Sequence, residues 1–521
     1  MFKQLKQLFF ILFAFIISQP VIAQGDQLNE KETSSPIEEK IDQAIEPIVD
    51  AMGKVIFWDP IKAMGIDIGA DVKLVVIWLV LGALFFTIRM GFINFRGVKH
   101  ALDLVRGRYD DPNKMSGEVS HFQALATALS ATVGLGNIAG VAIAISLGGP
   151  GATLWMIVAG LLGMASKFVE CTLGVKYRTI NDLGHTSGGP MYYLSTALKK
   201  YSLFGINLGN FGKVLAVIFS ILCIGGSLGG GNMFQANQAF SQLEGQFTMV
   251  EGQGVAFGII MAILVGVVII GGIKSIARVT EKIVPIMAGL YLLCALIIIG
   301  INFTEIGHVF QLIYDGAFNP DALKGGIVGV LIVGFQRAAF SNEAGVGSAS
   351  IAHSAANTPE PVSEGIVALL EPFVDTVLVC TITAMVIIFT GRHEGFDLEG
   401  AQLTSSAFGS VFDWFPNILV LVIFLFAFST MISWSYYGLK AWTYLFGGSK
   451  IAEYSYKFIF LVFIVIGSSI GLGSVIDFSD MMILSMAFPN ILGLLILSKE
   501  VRADLKSYFY RIKTGEIKRY K

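Results

Sequence analysis

The sequence predicts an all-α polytopic membrane protein, and its composition, its apolar runs and its loop charges all support this fold class. Hydrophobic residues make up 54% of the chain and charged residues only 14%, whereas soluble domains carry about 25% charged residues. The formal net charge is −2, which gives no indication of nucleic-acid binding. The four cysteines lie within apolar runs and the six histidines are scattered. We therefore expect buried thiols and no metal centre.

The N-terminus has the features of a secretory signal peptide. Lys3 and Lys6 precede an apolar run over 8–17, and Val21-Ile22-Ala23 fits a cleavage site for such a peptide. The run is too short to cross a bilayer of about 30 Å. We predict a signal peptide over 1–23 and, once it is cleaved, a mature N-terminus outside the cell membrane. Residues 24–71 then form a periplasmic segment, acidic at first and amphipathic over 46–63.

Eleven apolar segments are long enough for membrane helices, at about 20 residues for each crossing. They are 72–91, 121–146, 152–175, 214–240, 254–273, 283–302, 325–347, 364–390, 416–439, 457–474 and 479–498. Each must be helical or shielded by other helices, because lipid cannot satisfy backbone polar groups. The segments define a transmembrane domain over 72–498 and leave a basic tail over 499–521.

The charges of the loops orient these spans. With the N-terminus outside, the inside loops hold 25 Lys and Arg residues and the outside loops hold two. The inside loops are 89–118, 176–213, 274–282, 347–364, 440–457 and 499–521. The outside loops are 147–151, 241–255, 303–324, 391–415 and 475–478. This bias follows the positive-inside rule, so we predict a multi-pass protein of a bacterial inner membrane with a cytoplasmic C-terminus.

The span at 121–146 is poorly suited to a continuous helix. Gly134, Gly136 and Asn137 lie in its middle, and glycine in a helix interior costs about 1 kcal/mol relative to alanine. We therefore predict an unwound segment. Its free carbonyls can bind a cation, and the N-terminus of the following half-helix can bind a carboxylate. Close helix packing through small residues is the alternative explanation of these glycines.

The span at 325–347 also contains residues that disfavour a lipid-facing helix. It combines three polar residues with two glycines, namely Arg337, Asn342, Glu343, Gly345 and Gly347. Charges within a membrane indicate a functional site by default, although a structural Arg–Glu pair is an alternative. When the first span is set aside, the two broken spans are the first and sixth of ten. They are matching members of two inverted halves of five spans, a pattern that predicts a transporter site.

Two further spans carry polar residues that are candidates for this site. Gln235 and Asn237 lie in 214–240, where substrate contact and helix packing both remain open. Ser429 and Thr430 lie in 416–439 and offer neutral hydroxyl ligands suited to sodium. Trp434 lies one turn beyond Thr430 on the same helix face, where it can wall a small pocket.

Other ionisable residues also lie within apolar spans, and four of them form two pairs by spacing. Lys167 and Glu170 have i, i+3 spacing and are expected to form a local pair. Glu371 and Asp375 have i, i+4 spacing. Each of these two carboxylates is a candidate for a proton site, for a partner of Arg337 or for a structural acceptor, and we favour the structural roles.

Several motifs resemble the alanine or glycine:cation symporter family. They are Val133-Gly-Leu-Gly-Asn-Ile-Ala-Gly-Val-Ala-Ile-Ala144, Gly148-Gly-Pro-Gly151 with Trp155-Met156, Gly188-Gly-Pro-Met-Tyr-Tyr193, Phe340-Ser-Asn-Glu-Ala-Gly-Val-Gly-Ser348 and Asp375-Thr376. The start of the first motif also resembles the unwound first helix of the LeuT fold. The resemblance extends over residues 72–500.

The resemblance implies a LeuT-like five-plus-five inverted repeat with one extra N-terminal transmembrane helix. It implies sodium-driven uptake of a small neutral amino acid, alanine first and sometimes glycine or serine. A sodium ion would be held by the backbone of Ser130 and Val133 and by the hydroxyls of Ser429 and Thr430. The implied substrate-binding residues are Thr132, Gly134, Gly136, Gln235, Phe340, Asn342, Gly345, Thr430 and Trp434. The implied partners are the amino acid, the sodium ion and the lipid bilayer, with no further cofactor and no catalytic residue.

Other functions make different demands on the sequence. A proton-coupled carrier of the same fold would use Glu343, Asp375 or Glu371. A channel would need pore rings or filter repeats, and a metal-dependent enzyme would need a motif such as HExxH; the sequence has none of these. A sensor with a transporter-like core would need a signalling domain, for which the tail at 499–521 is too short.

Overall fold

The computed structural model describes residues 53–54, 56–65, 71–110, 117–182, 184–203, 205–318, 326–394 and 400–520. The signal peptide predicted over 1–23 and most of the segment predicted over 24–71 lie outside these residues. The described helices are α1 (Pro60–Ala63), α2 (Leu74–Arg89), α3 (Ile93–Arg96), α4 (Val98–Val105), α5 (His121–Thr132), α6 (Ala139–Gly148), α7 (Ala152–Lys176), α8 (Pro190–Ala197), α9 (Gly209–Leu228), α10 (Phe234–Gln246), α11 (Gly254–Ile269), α12 (Gly272–Ile301), α13 (Ile306–Phe318), α14 (Gly326–Asn342), α15 (Ala349–His353), α16 (Pro361–Val367), α17 (Leu370–Pro372), α18 (Thr381–Phe389), α19 (Gly400–Gly409), α20 (Phe415–Phe446), α21 (Lys450–Gly467), α22 (Leu472–Ser485) and α23 (Ala487–Lys513). The chain is thus mostly helical.

Short non-α segments interrupt or connect these helices. The 3₁₀ turns are Leu135–Asn137, Leu198–Lys200, Thr248–Val250 and Phe303–Glu305. The π-helical turns are Gly229–Met233, between α9 and α10, and Phe373–Cys380, between α17 and α18. π-Helical turns inside helices often occur at functional sites.

Two small hairpins correct the prediction of an all-α chain. Strand β1 (Thr179–Ile180) pairs antiparallel with β2 (Thr186–Ser187). Strand β3 (Ser202–Leu203) pairs antiparallel with β4 (Ile206–Asn207). Both lie in the predicted inside loop 176–213, outside the spans. Their strands have two residues each, so they show no apolar periodicity from which they could be predicted.

Each of the eleven predicted spans overlaps a described helix. Among the described residues, six helical stretches are long and apolar enough to cross a membrane, or seven if one bent pair forms a single span. The six stretches, some of which join adjacent helices and turns, are Ala152–Lys176, Gly209–Gln246, Gly272–Ile301, Pro361–Phe389, Phe415–Phe446 and Val475–Lys513. Three more are apolar but shorter, namely Leu74–Arg89, Gly254–Ile269 and Gly326–Asn342. The chain is therefore a helical membrane protein with several apolar spans, and the number of eleven crossings stays a prediction.

Two helices occupy segments that the sequence assigned to outside loops. Helix α13 lies in 303–324 and buries one face through Val309, Ile313 and Ala317. Helix α19 lies in 391–415 and is buried along nearly its whole length. Both are too short to register as spans, because a crossing needs about 20 apolar residues. Tertiary packing decides their place in the fold.

The first predicted break is an interruption between α5 and α6. Helix α5 ends at Thr132, and its axis and that of the segment Leu135–Gly148 differ by 56°. The side chain of Asn137 closes the turn, since its Oδ1 accepts a hydrogen bond from the Gly134 amide at 2.8 Å. The local sequence therefore both breaks the helix and satisfies part of the exposed backbone, as the prediction of an unwound segment requires.

The second predicted break is an interruption between α14 and α15. Glu343, Gly345 and Gly347 all have positive φ, at 55°, 85° and 98°. This left-handed conformation suits glycine, which has no Cβ to clash with the backbone. The two glycines therefore explain why the helix ends at Asn342, whereas Glu343 holds an unfavourable conformation.

Candidate functional site

A small cavity lies where the two interruptions meet. Ten residues line it, namely Ala131, Thr132, Gly136, Gly230, Gln235, Phe340, Ser341, Glu343, Trp434 and Ile483. The volume open to the centre of a water-sized sphere is ≈ 10 Å³, which is about the minimum that a single water needs. The walls are thus closed tightly around a space between the two broken helices.

Five of the residues implied by the family resemblance line this cavity. They are Thr132, Gly136, Gln235, Phe340 and Trp434. Gln235 also supports the first interruption, because its Nε2 donates to the Gly230 carbonyl at 2.8 Å and its Oε1 accepts from the Leu135 amide at 3.4 Å. Sequence reasoning missed Ile483 altogether, since one isoleucine within an apolar span carries no signal that separates a pocket wall from a lipid-facing position.

The other implied substrate residues lie behind the lining. Gly134 faces Thr430, and a Cβ at Gly134 would lie 2.5 Å from the Thr430 hydroxyl oxygen. The Asn342 amide group donates to the Thr376 hydroxyl at 2.8 Å. The Gly345 carbonyl accepts from the side chain of Asn490 at 2.9 Å. These residues hold the shape of the interruptions and of the space between them.

The residues implied for sodium binding come together on α5 and α20. The Thr430 hydroxyl donates to the Ser130 carbonyl at 2.9 Å, and the Ser130 hydroxyl donates to the Ser429 carbonyl at 2.6 Å. The Ser429 hydroxyl turns away, because it donates to the Phe426 carbonyl of its own helix at 3.0 Å. Val133 is the first residue beyond α5. Neutral oxygens beside an unwound helix are the ligand type that transporters use for sodium.

Glycines of the π-helical turn let two large side chains close the cavity. A Cβ at Gly231 would lie 2.3 Å from Cγ of Trp434, and one at Gly230 would lie 2.3 Å from Cδ1 of Ile483. The ring of Phe340 packs edge to face against Phe234, with 5.4 Å between the centroids. The cavity wall is therefore formed by bulky apolar side chains, two of which pack directly against the backbone of these glycines.

A fully buried carboxylate connects the two interruptions. Asp375, in the second π-helical turn, accepts from the Asn137 side-chain amide at 2.7 Å and from the Ser341 hydroxyl at 2.9 Å. The Thr376 hydroxyl donates to it at 2.7 Å. Asp375 has no Lys, Arg or His within ion-pair distance in the described ranges. This geometry agrees with the structural acceptor role that we favoured.

Arg337 has a different partner from those considered for it. The structure pairs it with Asp480 of α22, not with Glu343 or with either carboxylate of span 364–390. The Gln336 side chain also donates to Asp480, at 3.0 Å. Asp480 lies at the end of an apolar run, and only packing of α22 against α14 brings it to Arg337. The pair lies one helical turn from two cavity residues. Arg337 precedes Phe340 by three positions in α14, and Asp480 precedes Ile483 by three positions in α22.

Lys167 also pairs mainly with a distant residue. Its ammonium lies 2.8 Å from Glu371 and 3.8 Å from Glu170, so the expected local pair is the longer of the two. All three side chains are fully buried. His353 extends this cluster, because its Nε2 lies 3.5 Å from Glu371 and its Nδ1 lies 2.6 Å from Glu364. A buried charge that lost its partner here would be strongly unfavourable.

The fold and the site together define the class of protein. A pocket between two interrupted membrane helices, with a nearby set of neutral oxygens, is typical of secondary transporters. Residues 63–521 match the family model described as the sodium:alanine symporter family, and the chain belongs to that family. It is therefore a transmembrane amino-acid/cation symporter and not an enzyme.

Similarity to individual relatives extends over most of the chain. The sodium/alanine symporter AgcS of Methanococcus maripaludis is 40% identical over 445 residues, which cover 84% of this chain and 95% of AgcS. The probable sodium/glutamine symporter GlnT of Bacillus subtilis is 34% identical, over 85% of this chain and 89% of GlnT. Among solved structures, MhsT in complex with L-phenylalanine is similar with a TM-score of 0.45 and 15% identity, over 75% of this chain and 99% of MhsT.

Proposed function

We propose that the protein is a sodium-coupled importer of a small neutral amino acid, alanine or glycine first, that works by alternating access. The observation that carries this proposal is that the two interruptions meet at a small cavity walled by bulky side chains. At ≈ 10 Å³ the cavity holds about one water, so it must widen to admit even alanine, and a longer side chain would require still more widening. AgcS is named as a sodium/alanine symporter, which supports alanine, whereas the name of GlnT makes glutamine the larger substrate to test.

The two interruptions supply the groups that recognise an amino acid. In the proposed complex, backbone groups near Thr132 to Gly136 and near Phe340 to Gly345 meet the substrate ammonium and carboxylate. Half-helix N-termini favour the carboxylate, because their amides and dipoles carry partial positive charge. These groups are common to all α-amino acids, so Trp434 and the other wall residues determine which side chains fit.

Sodium in this proposal binds between α5 and α20. The Ser130 carbonyl and the Thr430 hydroxyl already lie in contact at 2.9 Å, and the Val133 backbone follows directly after α5. A cation between them would tie the first interruption to α20. Sodium binding and closure of the substrate site would then be coupled through the same helix end.

The proposed topology is a LeuT-like five-plus-five inverted repeat that follows one extra helix, α2. Adding the three shorter apolar helices and α21 to the six long helices and the bent pair brings the proposed crossings to eleven. Loop charges support a periplasmic mature N-terminus, a cytoplasmic C-terminus and a bacterial inner membrane.

Uptake by purified protein in proteoliposomes tests the proposal. Labelled alanine, glycine, serine and glutamine are offered with an inward sodium gradient, with equal sodium on both sides, and with sodium replaced by potassium. We expect concentrative uptake of alanine or glycine only under the gradient. Uptake that is independent of sodium, or a clear preference for glutamine, would contradict the proposal.

Proton coupling on the same fold is the second candidate, and Asp375 is the observation that favours it. A buried carboxylate that joins both interruptions without a basic partner is a suitable place for a proton. A proton gradient imposed without sodium separates the two functions. Concentrative uptake under that condition, lost in Asp375→Asn, would favour the proton-coupled carrier.

A further inference from the structure

Glu343 occupies an unusual position at the edge of the cavity. It lies in the turn between α14 and α15 with φ of 55°, and Phe92 is the other non-glycine residue of the described chain with positive φ. Such a conformation costs about 1–3 kcal/mol and persists where the surrounding structure requires it. The Glu343 side chain is also 2% exposed. The fold therefore keeps both an unfavourable backbone and a buried carboxylate at this point.

The contacts of the Glu343 carboxylate show what this arrangement achieves. Its Oε1 accepts a hydrogen bond from the indole Nε1 of Trp434 at 3.1 Å, and its Oε2 accepts one from the hydroxyl of Ser348. In the described part of the chain, no Lys, Arg or His lies within ion-pair distance of it. The carboxylate is thus directed at the indole that walls the cavity.

Packing and this hydrogen bond both hold the indole of Trp434 in place. One edge of the side chain is seated on Gly231, whose missing Cβ leaves the space that Trp434 Cγ and Cβ occupy. The Nε1 group needs an acceptor, because Trp434 is only 1% exposed and a buried donor without a partner is costly.

We propose that Glu343 is a positioning residue that fixes the Trp434 indole as a wall of the cavity and so sets the upper size limit of the transported amino acid. The inference rests on the proposed function. Without the carboxylate, the indole N–H must turn to find another acceptor, and this rotation enlarges the space available to a substrate side chain. Glu343 acts here through Trp434 and not by a contact of its own with the substrate side chain.

Three substitutions separate positioning from charge. Glu343→Ala removes the acceptor, Glu343→Gln keeps an acceptor oxygen but removes the charge, and Trp434→Phe removes the donor. Glu343→Asn is a further variant, because asparagine tolerates left-handed backbone and its shorter side chain does not reach the indole. Ser348→Ala is the matched control, since it removes the other partner of the same carboxylate.

Competition of valine, leucine and methionine against labelled alanine in proteoliposomes provides the measurement. We expect the inhibition constants of these larger amino acids, relative to that of alanine, to fall about tenfold, a change of ~1.4 kcal/mol, in Glu343→Ala, Glu343→Asn and Trp434→Phe. Glu343→Gln and Ser348→Ala should stay within about twofold of wild type. The double variant with Glu343→Ala and Trp434→Phe should not exceed either single change, because both remove one interaction.

The outcomes distinguish this inference from the function on which it rests. A wild-type protein without sodium-driven uptake of either alanine or glycine would overturn the proposed function. Active wild type with unchanged selectivity in Trp434→Phe and in the folded Glu343 variants would overturn the positioning role. If Glu343→Gln relaxes selectivity as strongly as Glu343→Ala, charge rather than the hydrogen bond sets the limit, and the inference is wrong. Thermal unfolding of each variant identifies those that fold.

Discussion

Replacing Thr430 by valine is the sharpest test of the proposed sodium site. Valine keeps the branched shape of threonine and removes the hydroxyl that donates to the Ser130 carbonyl at 2.9 Å. A change of shape must be avoided here, because Thr430 packs tightly against the backbone of Gly134, where an added Cβ would lie 2.5 Å from its hydroxyl oxygen. Thr430→Ser, which retains the hydroxyl, is the matched control.

The expected effect follows from the loss of one buried polar partner. Removing one partner of a buried hydrogen-bonded pair costs about 1–3 kcal/mol. Applied to sodium binding, this energy raises the half-saturating sodium concentration by about 5- to 150-fold. Ser429→Ala should have a smaller effect than Thr430→Val, because the Ser429 hydroxyl bonds to the Phe426 carbonyl of its own helix. This ranking of two adjacent hydroxyl residues comes from the structure.

Sodium titration of alanine uptake in proteoliposomes measures the effect. Uptake by Thr430→Val should approach the wild-type rate at high sodium, whereas Thr430→Ser should need nearly the wild-type sodium concentration. Folding of each variant is checked by thermal unfolding in detergent. If Thr430→Val is folded and its half-saturating sodium concentration is unchanged, Thr430 is not a sodium ligand and the site must be placed elsewhere.

Three further predictions concern the cavity wall, the buried charges and the topology. Phe340→Ala should admit valine or leucine and weaken alanine binding, and competition assays that still exclude both larger amino acids would contradict the steric wall. Lys167→Met should destabilise the protein by about 3–5 kcal/mol, because the Glu371 and Glu170 carboxylates lose the buried ammonium that lies within 4 Å of both; an unchanged unfolding temperature would contradict this. In whole cells, an impermeant thiol reagent should label Glu30→Cys but not Gly515→Cys, and the reverse pattern would invert the topology.

The broken helices show how far local sequence can predict this site. Glycine-rich stretches at Gly134–Gly136 and Gly345–Gly347 disfavour helix wherever they occur, so both interruptions were predicted at the correct places. Five implied substrate residues also line the cavity. The helices α13 and α19 were missed, because short buried helices lack the length of a span and owe their position to packing.

The charged residues show where local reasoning fails. The partners considered for Arg337 as alternatives were Glu343 and a carboxylate of span 364–390, and the structure instead pairs it with Asp480, 143 positions away. Lys167 was expected to pair with Glu170, yet its shorter contact is with Glu371, 204 positions away. A buried charge takes the partner that the packed helices bring closest, and spacing along one helix carries no information about the facing helix.

The sequence by itself determined the membrane class, the approximate spans, the two interruptions and the family resemblance, because apolar length and glycine content act locally along the chain. Tertiary structure alone decided that Ile483 closes the cavity, that Glu343 holds the Trp434 indole, and that Asp375 joins both interruptions. These contacts link segments far apart in the chain. They depend on how the helices pack against one another. The sequence of any single helix is compatible with many different packing partners.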